Sequence, residues 1–236
     1  MRPGPADKPL KTASRTYGRR QGRPLRSGLQ ALVDARLPAL QVELPEAGRT
    51  LEPKALFATP PREVWLEIGF GGGEHLAWQA EAHPDVGILG AEVFINGIAQ
   101  LVRQVAAREL TNVRIYPGDG RDLLAVLPEG ALSRAFILFA DPWPKRRHHR
   151  RRFIQRATLD RLAALMAPGA ELRLATDHME HLDWMLERTS AHPAFQWLAR
   201  RPGDWRERPA DWPATRYERK AIDQGLKPVY LRFRRR

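Results

Sequence analysis

The sequence predicts an α/β fold with a mostly parallel sheet and helices on both of its faces. Short apolar runs of strand length alternate with stretches in which apolar residues recur at helical spacing. Strands that alternate with helices in this way are typical of parallel sheets joined by crossover helices. The chain has 236 residues, of which 43% are hydrophobic, so it can bury one substantial core.

The first two strands and helices enclose a glycine-rich loop. The apolar run Val64–Ile68 predicts a strand, Gly69–Gly73 forms the loop, and Glu74–Ala82 shows helical spacing. A second apolar run, Val86–Val93, precedes a predicted helix over Asn96–Glu109. Asn96 is a favourable N-cap for that helix.

The alternation continues to the C-terminus. Further strands are predicted over Val113–Tyr116, Ala135–Phe139, Glu171–Ala175 and Val229–Phe233, and further helices over Leu123–Leu127, Phe153–Met166 and Met179–Arg188. The Pro168-Gly169 pair is expected to end the helix before it. Because ligands bind beyond the carboxyl ends of parallel strands, residues that directly follow the strands are candidate site residues.

Lysine and arginine are concentrated in three segments. Residues 1–30 carry a net +7, residues 145–152 carry +6 and the last five residues carry +4, against +12 for the whole chain. The remainder is therefore mildly acidic, at −5. This distribution indicates an anionic partner, either a nucleic acid or a membrane surface. Residues 1–28 lack apolar periodicity and predict a flexible basic arm, followed by a single domain over residues 29–236.

The composition also limits the location of the protein. The chain contains no cysteine, which fits a reducing cytosol. No stretch approaches 18 uninterrupted apolar residues, and no apolar segment follows the basic N-terminus. We therefore expect neither a transmembrane helix nor a secretory signal, and we predict a cytoplasmic protein.

Three acids lie at the ends of three consecutive predicted strands, beside the glycine loop. Glu67 would repel a pyrophosphate, but it suits the ammonium and sulfonium of S-adenosylmethionine. Glu92 is placed to accept hydrogen bonds from ribose hydroxyls, and Asp119 from an adenine amino group. Gly69 and Gly71 let the backbone approach a ligand closely. Glu67 alone could be a satisfied polar residue at a strand end, and Glu92 or Asp119 alone could be a helix cap or a solvated residue. Together the three acids outline a pocket for an adenosine joined to an amino acid.

The fourth strand is followed by Asp141-Pro142-Trp143-Pro144 and then by a run of basic residues. The prolines stiffen this loop, and Trp143 offers a flat face for a base. A charge run is usually a solvated face, but this run abuts the candidate reaction centre, which favours an RNA or DNA backbone. His148 and His149 are adjacent and lack the spacing of metal ligands, so no metal is predicted.

Two further segments carry candidate substrate contacts. Thr215-Arg216-Tyr217-Glu218 places a hydroxyl, a cation, an aromatic ring and an acid together. Glu218 could accept hydrogen bonds from the N1–H and N2–H₂ edge of guanine, which adenine does not offer. Asp177, after the fifth strand, is either a helix N-cap or a substrate contact.

These motifs resemble the bacterial tRNA (guanine-N7-)-methyltransferase family. The similar segments are Leu66–Gly71, Gly90–Glu92, Gly118-Asp119, Asp141–Lys145, the basic run through Arg152, Thr176-Asp177 and Thr215–Glu218. The resemblance implies a Rossmann-like class I methyltransferase fold with a seven-stranded sheet. It also implies S-adenosylmethionine as methyl donor and N7 of guanine 46, in the variable loop of tRNA, as acceptor. Ala140 and Tyr217 depart mildly from the family, where many members have Pro and Phe.

The resemblance also implies a role for each site residue. Glu67, Glu92, Asp119 and Asp141 would contact the cofactor, with Asp141 also the catalytic residue. Substrate contacts would come from Lys145, Asp177, Thr215, Arg216, Tyr217 and Glu218, and RNA contacts from Arg147, His148, His149, Arg150, Arg151 and Arg152. A monomer that binds tRNA, without a metal or a membrane, is expected.

Four other classes of protein are alternative interpretations of the sequence. A methyltransferase of exocyclic base amines has a similar Asp/Asn-Pro-Pro-aromatic loop, although the second proline of that motif is absent here. A non-catalytic RNA-binding protein could keep a relic nucleotide pocket. A nicotinamide-dependent oxidoreductase is disfavoured by Glu67 and by Glu74, which replaces the third glycine of its fingerprint. A membrane-surface protein is disfavoured because residues 145–152 have no apolar face.

Overall fold

A seven-stranded sheet forms the centre of the molecule. The structure, a computed structural model, describes residues 17–236, and in this part of the chain the strands are β1 (Glu63–Ile68), β2 (Val86–Ala91), β3 (Val113–Tyr116), β4 (Leu132–Leu138), β5 (Met166–Thr176), β6 (Phe195–Trp197) and β7 (Val229–Arg235). Their order is β3-β2-β1-β4-β5-β7-β6, with β1 to β5 parallel and β7 antiparallel to both neighbours. The predicted mostly parallel sheet is confirmed.

Helices cover both faces of this sheet. They are α1 (Ser27–Leu40), α2 (Glu74–Ala82), α3 (Ile95–Ala107), α4 (Gly120–Val126), α5 (Arg156–Leu165), α6 (Met179–Ser190), α7 (Gly203–Arg206) and α8 (Arg216–Asp223), with 3-10 helices at Pro53–Leu56 and Arg146–Arg151. Leu76 of α2 and Leu101 of α3 pack on one face, whereas Leu123 of α4 and Leu162 of α5 pack on the other. None of the helices in residues 17–236 combines the length and apolar character needed to cross a membrane.

Strand β1 shows why both faces are needed. Trp65 and Leu66 are adjacent in sequence and fully buried, and they belong to the apolar cores on opposite faces. A strand buried on both sides is expected to be continuously apolar rather than alternating. The chain leaves β1 toward β2 and β3, and it later returns to place β4 on the other side of β1. The crevice at this reversal is where ligands bind in such sheets.

One expected helix end is wrong, and one short strand was not predicted. Pro168-Gly169 does not end a helix, because α5 already ends at Leu165 and the pair lies inside β5, where the pairing with β4 shifts register. Proline is tolerated in a strand at such irregularities. Strand β6 was not expected, since its three residues are too few to show a period of two.

Residues 1–16 of the predicted N-terminal arm lie outside the described residues, and the segment that follows them lies against the body of the protein. The amide of Gly22 donates to Asn96 Oδ1 at 2.6 Å, and Asn96 Nδ2 donates to the carbonyl oxygen of Arg23 at 2.7 Å. The amide of Ile95 donates to the carbonyl oxygen of Arg20. We call residues 17–23 the strap. Asn96 is therefore not the N-cap of α3, because that helix begins one residue earlier and the Asn96 side chain binds the strap instead.

Candidate active site

A cavity of about 390 Å³ lies beyond the carboxyl ends of β1 to β4. Its volume falls within the range of small-molecule sites, roughly 300 to 1,000 Å³. The predicted residues that line it are Glu67, Gly69, Gly71, Glu92, Asp119, Asp141, Thr215 and Tyr217, together with Arg151 from the predicted RNA contacts. The fold thus brings together all of the predicted cofactor residues and two of the predicted substrate residues.

The loop between β1 and α2 requires glycine at Gly71. This residue has φ +55°, and an added Cβ would lie 2.8 Å from the ring of Tyr217. The carbonyl oxygen of Gly71 in turn lies 2.2 Å from the position of a Cβ on Gly97, so helix α3 also needs a glycine there. These close approaches seat the loop between α3 and the Tyr217 side chain.

Glu92 is held by three backbone amides at the end of β2. Its Oε2 accepts from the amide of Gly71 at 2.8 Å, and its Oε1 accepts from Val93 at 2.7 Å and Phe94 at 2.9 Å. Burial raises the pKa of Glu92, the three amides oppose that rise, and the charge of Asp141 adds to it. The hydrogen bonds join the ends of β1 and β2 around one carboxylate.

Glu67 is 3% exposed and pairs with a histidine that sequence reasoning did not select. His75 Nδ1 lies 2.7 Å from Glu67 Oε2, and both residues line the cavity. The spacing of eight residues, from the strand end to the first turn of α2, gives no recognised motif. The contact exists because the glycine loop folds the start of α2 back over the end of β1.

Asp119 caps helix α4. Its Oδ1 accepts from the amide of Arg121 at 3.0 Å, and its carboxylate also meets the Arg121 guanidinium at 3.0 Å and 3.2 Å. The helix-cap interpretation considered for this acid is therefore correct. The residue still lines the cavity, so a contact with adenine stays a prediction.

Asp141 lies at the mouth of the cavity in a strained loop. The preceding Phe139 has φ +52° and the following Trp143 has φ +43°, a conformation that costs energy in residues other than glycine. The Asp141 side chain is open to solvent on one side, and the surrounding protein raises its pKa by desolvation. Strain and desolvation together mark this loop as shaped for a ligand rather than for stability.

The strap covers part of this mouth, which sequence reasoning missed. Tyr17, Gly18 and Arg19 line the cavity, and a Cβ on Gly18 would lie 3.6 Å from Asp141 Oδ2. The guanidinium of Arg151 lies 5.1 Å from the Tyr17 ring centroid and 4.9 Å from that of Trp143. A segment without apolar periodicity carries no sequence signal for such a contact.

Glu218 does not face a substrate. It forms a capping box with Thr215 at the start of α8, Tyr230 Oη donates to its Oε1, and Arg208 Nε lies 3.3 Å from the same oxygen. The residue is 3% exposed and lies outside the cavity lining. This geometry disfavours the expected guanine contact, because the carboxylate is buried and both of its oxygens already accept hydrogen bonds from the protein. The Thr-x-x-Glu spacing is itself the signature of a capping box.

The basic run divides into exposed and buried residues. Arg147 and Arg150 are exposed, and their side chains make no hydrogen bond or ion pair within residues 17–236. Arg152 is 0% exposed, donates to the carbonyl oxygen of Pro142 at 2.7 Å and to Glu180 at 2.8 Å, and lies over the Trp184 ring. Arg152 therefore supports the Asp141 loop from below, and the expected RNA contact at this residue is wrong.

The remaining predicted residues lie around the cavity rather than in it. Lys145 and Arg216 are exposed, and Asp177 is half-buried beyond β5. Helix α6 is capped by His178, so the N-cap interpretation of Asp177 is wrong. His148 stacks edge-on against Trp143, and His149 lies 3.1 Å from Glu180. Within the described residues no group of three or more His, Asp or Glu side chains could hold a metal ion.

Comparison with known proteins identifies the family. Residues 61–231 match the family model described as "Putative methyltransferase". The tRNA (guanine-N(7)-)-methyltransferase of Rhodospirillum rubrum is 54% identical over 98% of this chain and 91% of its own length. The chain belongs to the tRNA (guanine-N7-)-methyltransferase family. The resemblance deduced from the motifs is confirmed.

Further relatives agree with this membership. The tRNA (guanine-N(7)-)-methyltransferase of Paramagnetospirillum magneticum is 51% identical over 94% of this chain and 93% of its own length. An rRNA methylase of Streptococcus thermophilus, only 11% identical, superposes with a TM-score of 0.51 over 73% of this chain and 86% of its own. That superposition supports the class I methyltransferase fold.

Proposed function

We propose that this protein transfers a methyl group from S-adenosylmethionine to N7 of guanine 46 in the variable loop of tRNA. The observation that carries the proposal is the position of the cavity. Its acidic residues lie at or beyond the carboxyl ends of β1 to β4, and its mouth, at Asp141, opens beside the exposed arginines Arg147 and Arg150. A cationic cofactor and a polyanionic substrate are thus brought to one point.

The cavity residues fit S-adenosylmethionine in charge and in shape. Glu67 and Glu92 are buried acids, which suit the ammonium group and the ribose hydroxyls and would repel a pyrophosphate. The position of a Cβ on Gly69 meets no protein atom within 4 Å, so the missing side chain leaves space beside the cavity. When bound, this cofactor supplies an electrophilic methyl group. Glu67 would hold its amino-acid end, Glu92 its ribose and Asp119 its adenine.

The reaction needs orientation more than it needs a base. N7 of guanine carries an in-plane lone pair and has no proton to lose, so no residue has to remove one. Trp143 offers a ring on which the target base can stack. Asp141 orients the base and balances the positive charge that grows on it, and its partly desolvated position strengthens that attraction.

Exposed cations deliver the substrate to this point. Lys145, Arg147 and Arg150 lie on the solvent side of the Asp141 loop and can bind phosphates. The strap lies across the same mouth, so residues 17–19 are also within reach of the bound RNA. We further propose that the protein acts as a monomer in the cytoplasm. Sedimentation of the purified protein tests the oligomeric state, and cell fractionation tests the location.

The test is methylation of an unmodified tRNA transcript, followed by nuclease digestion and mass spectrometry. We expect N7-methylguanosine from the native transcript and none when guanine 46 is replaced by adenine. N6-methyladenosine as product would favour the exocyclic-amine alternative. Full methylation of the replaced transcript would contradict position 46, and absence of S-adenosylmethionine binding would favour a non-catalytic RNA-binding protein.

A further inference from the structure

A chain of buried polar groups lies beneath the cavity. Gln79 Nε2 donates to the carbonyl oxygen of Asp211 at 2.9 Å and lies 3.1 Å from His75 Nε2. His75 Nδ1 lies 2.7 Å from Glu67 Oε2. His75 and Gln79 are both buried, at 2% and 0% exposed. The chain therefore runs from the segment before α8 to the acid that faces the cofactor.

The carbonyl of Asp211 determines the proton positions along this chain. A carbonyl oxygen only accepts, so the nearby atom of Gln79 must be its amide nitrogen. The same nitrogen also faces His75 Nε2 and cannot accept, so Nε2 of the histidine must be the acceptor. His75 is therefore neutral, with its proton on Nδ1, and it donates to Glu67.

The alternative arrangement is less favourable. Rotating the Gln79 amide would place its oxygen against the Asp211 carbonyl oxygen, so two acceptors would face each other. Asp211 cannot easily move away, since its carboxylate binds the buried Arg173 at 2.6 Å. The histidine ring is also fixed, between the Phe136 ring at 4.7 Å and the Trp212 ring at 6.0 Å.

We propose that His75 is a positioning residue, which as a neutral Nδ1–H ring holds Glu67 as an oriented carboxylate for the ammonium group of S-adenosylmethionine. The inference rests on the proposed function, in which Glu67 binds that end of the cofactor. Glu67 Oε1 makes no hydrogen bond within residues 17–236 and remains available to the ligand. The carboxylate then meets the ammonium without having to rotate.

The first experiment separates the amino-acid end from the nucleoside end of the ligand. Isothermal titration calorimetry measures the binding of two ligands, S-adenosylhomocysteine and 5′-methylthioadenosine, and the second of these lacks the ammonium group. The proteins compared are His75→Phe, His75→Asn and Gln79→Leu. His181→Phe is the matched control, because His181 is an equally buried histidine outside the cavity, with neither ring nitrogen hydrogen-bonded within residues 17–236.

We expect His75→Phe to weaken S-adenosylhomocysteine binding about tenfold, which corresponds to about 1.4 kcal/mol, and to change methylthioadenosine binding less than about twofold. His75→Asn keeps a donor near the position of Nδ1 and should restore most of the loss, while His181→Phe should match the wild type. Equal losses for both ligands, or no loss for either, would overturn the proposal. Wild-type protein that binds neither ligand would instead refute the proposed function.

The second experiment reads the proton position directly in the wild-type protein and uses Gln79→Leu only for comparison. Long-range ¹H–¹⁵N spectra of the wild-type protein at neutral pH should show His75 with a protonated Nδ1 and an unprotonated Nε2, and Gln79→Leu should release that preference. A protonated Nε2 in the wild type would overturn the assignment.

Discussion

The two sides of the active site hold their charges in opposite ways. Glu67, Glu92 and Asp119, which we call the pocket floor, are buried and hydrogen-bonded to the protein. The basic rim, residues 145–151, instead leaves Arg147 and Arg150 in solvent without protein partners in the described chain. The floor is organised before a ligand arrives, whereas the rim keeps its charges free for phosphates. Asp141 lies between them and shares features of both.

The largest expected effect of a substitution is the loss of methylation activity at Asp141, which lies between the pocket floor and the basic rim. Asp141→Ala should lower single-turnover methylation about 100-fold, because a group that balances charge only in the transition state is lost. The affinity for tRNA in filter binding should change less than about threefold. If turnover and affinity fell equally, Asp141 would belong to the rim rather than to the chemistry.

Two substitutions in the basic run separate a residue that stabilises the fold, Arg152, from one that is expected to bind phosphate, Arg150. Arg152→Ala should lower the free energy of unfolding by about 2 kcal/mol, because it removes hydrogen bonds to Pro142 and Glu180 and the contact with Trp184. Arg150→Ala should leave stability unchanged and reduce the slope of log affinity for tRNA against log salt by roughly 0.7 to 0.9. Chemical denaturation and salt-dependent filter binding measure the two effects. Loss of salt dependence in Arg152→Ala at unchanged stability would contradict this division.

A substitution at Glu92 tests whether the pocket floor binds the cofactor and not the tRNA. Glu92→Gln places an amide nitrogen against backbone donors, so it should weaken S-adenosylhomocysteine binding about tenfold in calorimetry and lower the melting temperature. The affinity for tRNA should stay within about twofold. Glu187→Gln, on helix α6 and away from the cavity, serves as the control for loss of one acid. A loss of tRNA affinity as large as the loss of cofactor affinity would contradict the separation of floor and rim.

The smallest effect is a gain in stability. Desolvation raises the pKa of Asp141 above its unfolded value, so the ionised carboxylate destabilises the fold at neutral pH. Asp141→Asn should therefore raise the melting temperature at neutral pH. The gain should shrink as the pH falls through the raised pKa and vanish below the ordinary aspartate range, near about 4. A gain that did not depend on pH would point to a cause other than this charge.

Short-range patterns predicted the fold and the floor of the site well. Apolar runs and the glycine loop placed Glu67, Glu92 and Asp119 at strand ends, because parallel strands bring their carboxyl ends to one edge. What sequence reasoning missed depends on contacts between distant segments. The strap binds Asn96 across more than 70 residues, and Gln79 meets Asp211 across 132. No local periodicity encodes such pairs.

The errors in the C-terminal half have a related cause. The sequence predicts an RNA contact for Arg152 from the basic run that contains it, and a guanine contact for Glu218 from the acceptors of its carboxylate. The 3-10 helix at Arg146–Arg151 ends by turning Arg152 inward, and a capping box with Thr215 turns Glu218 away from the cavity. Residue type gave the chemistry that each side chain can perform, and the local backbone decided which of them reach the ligand.

The most direct test of the account is a salt titration of both affinities in one protein preparation. The affinity for tRNA should fall linearly with log salt, by about 0.7 to 0.9 for each phosphate contact. The affinity for S-adenosylhomocysteine should stay nearly constant, because the floor is buried and weakly screened. Parallel salt dependence of the two ligands, or tRNA binding that ignores salt, would contradict the division into a preorganised floor and an electrostatic rim.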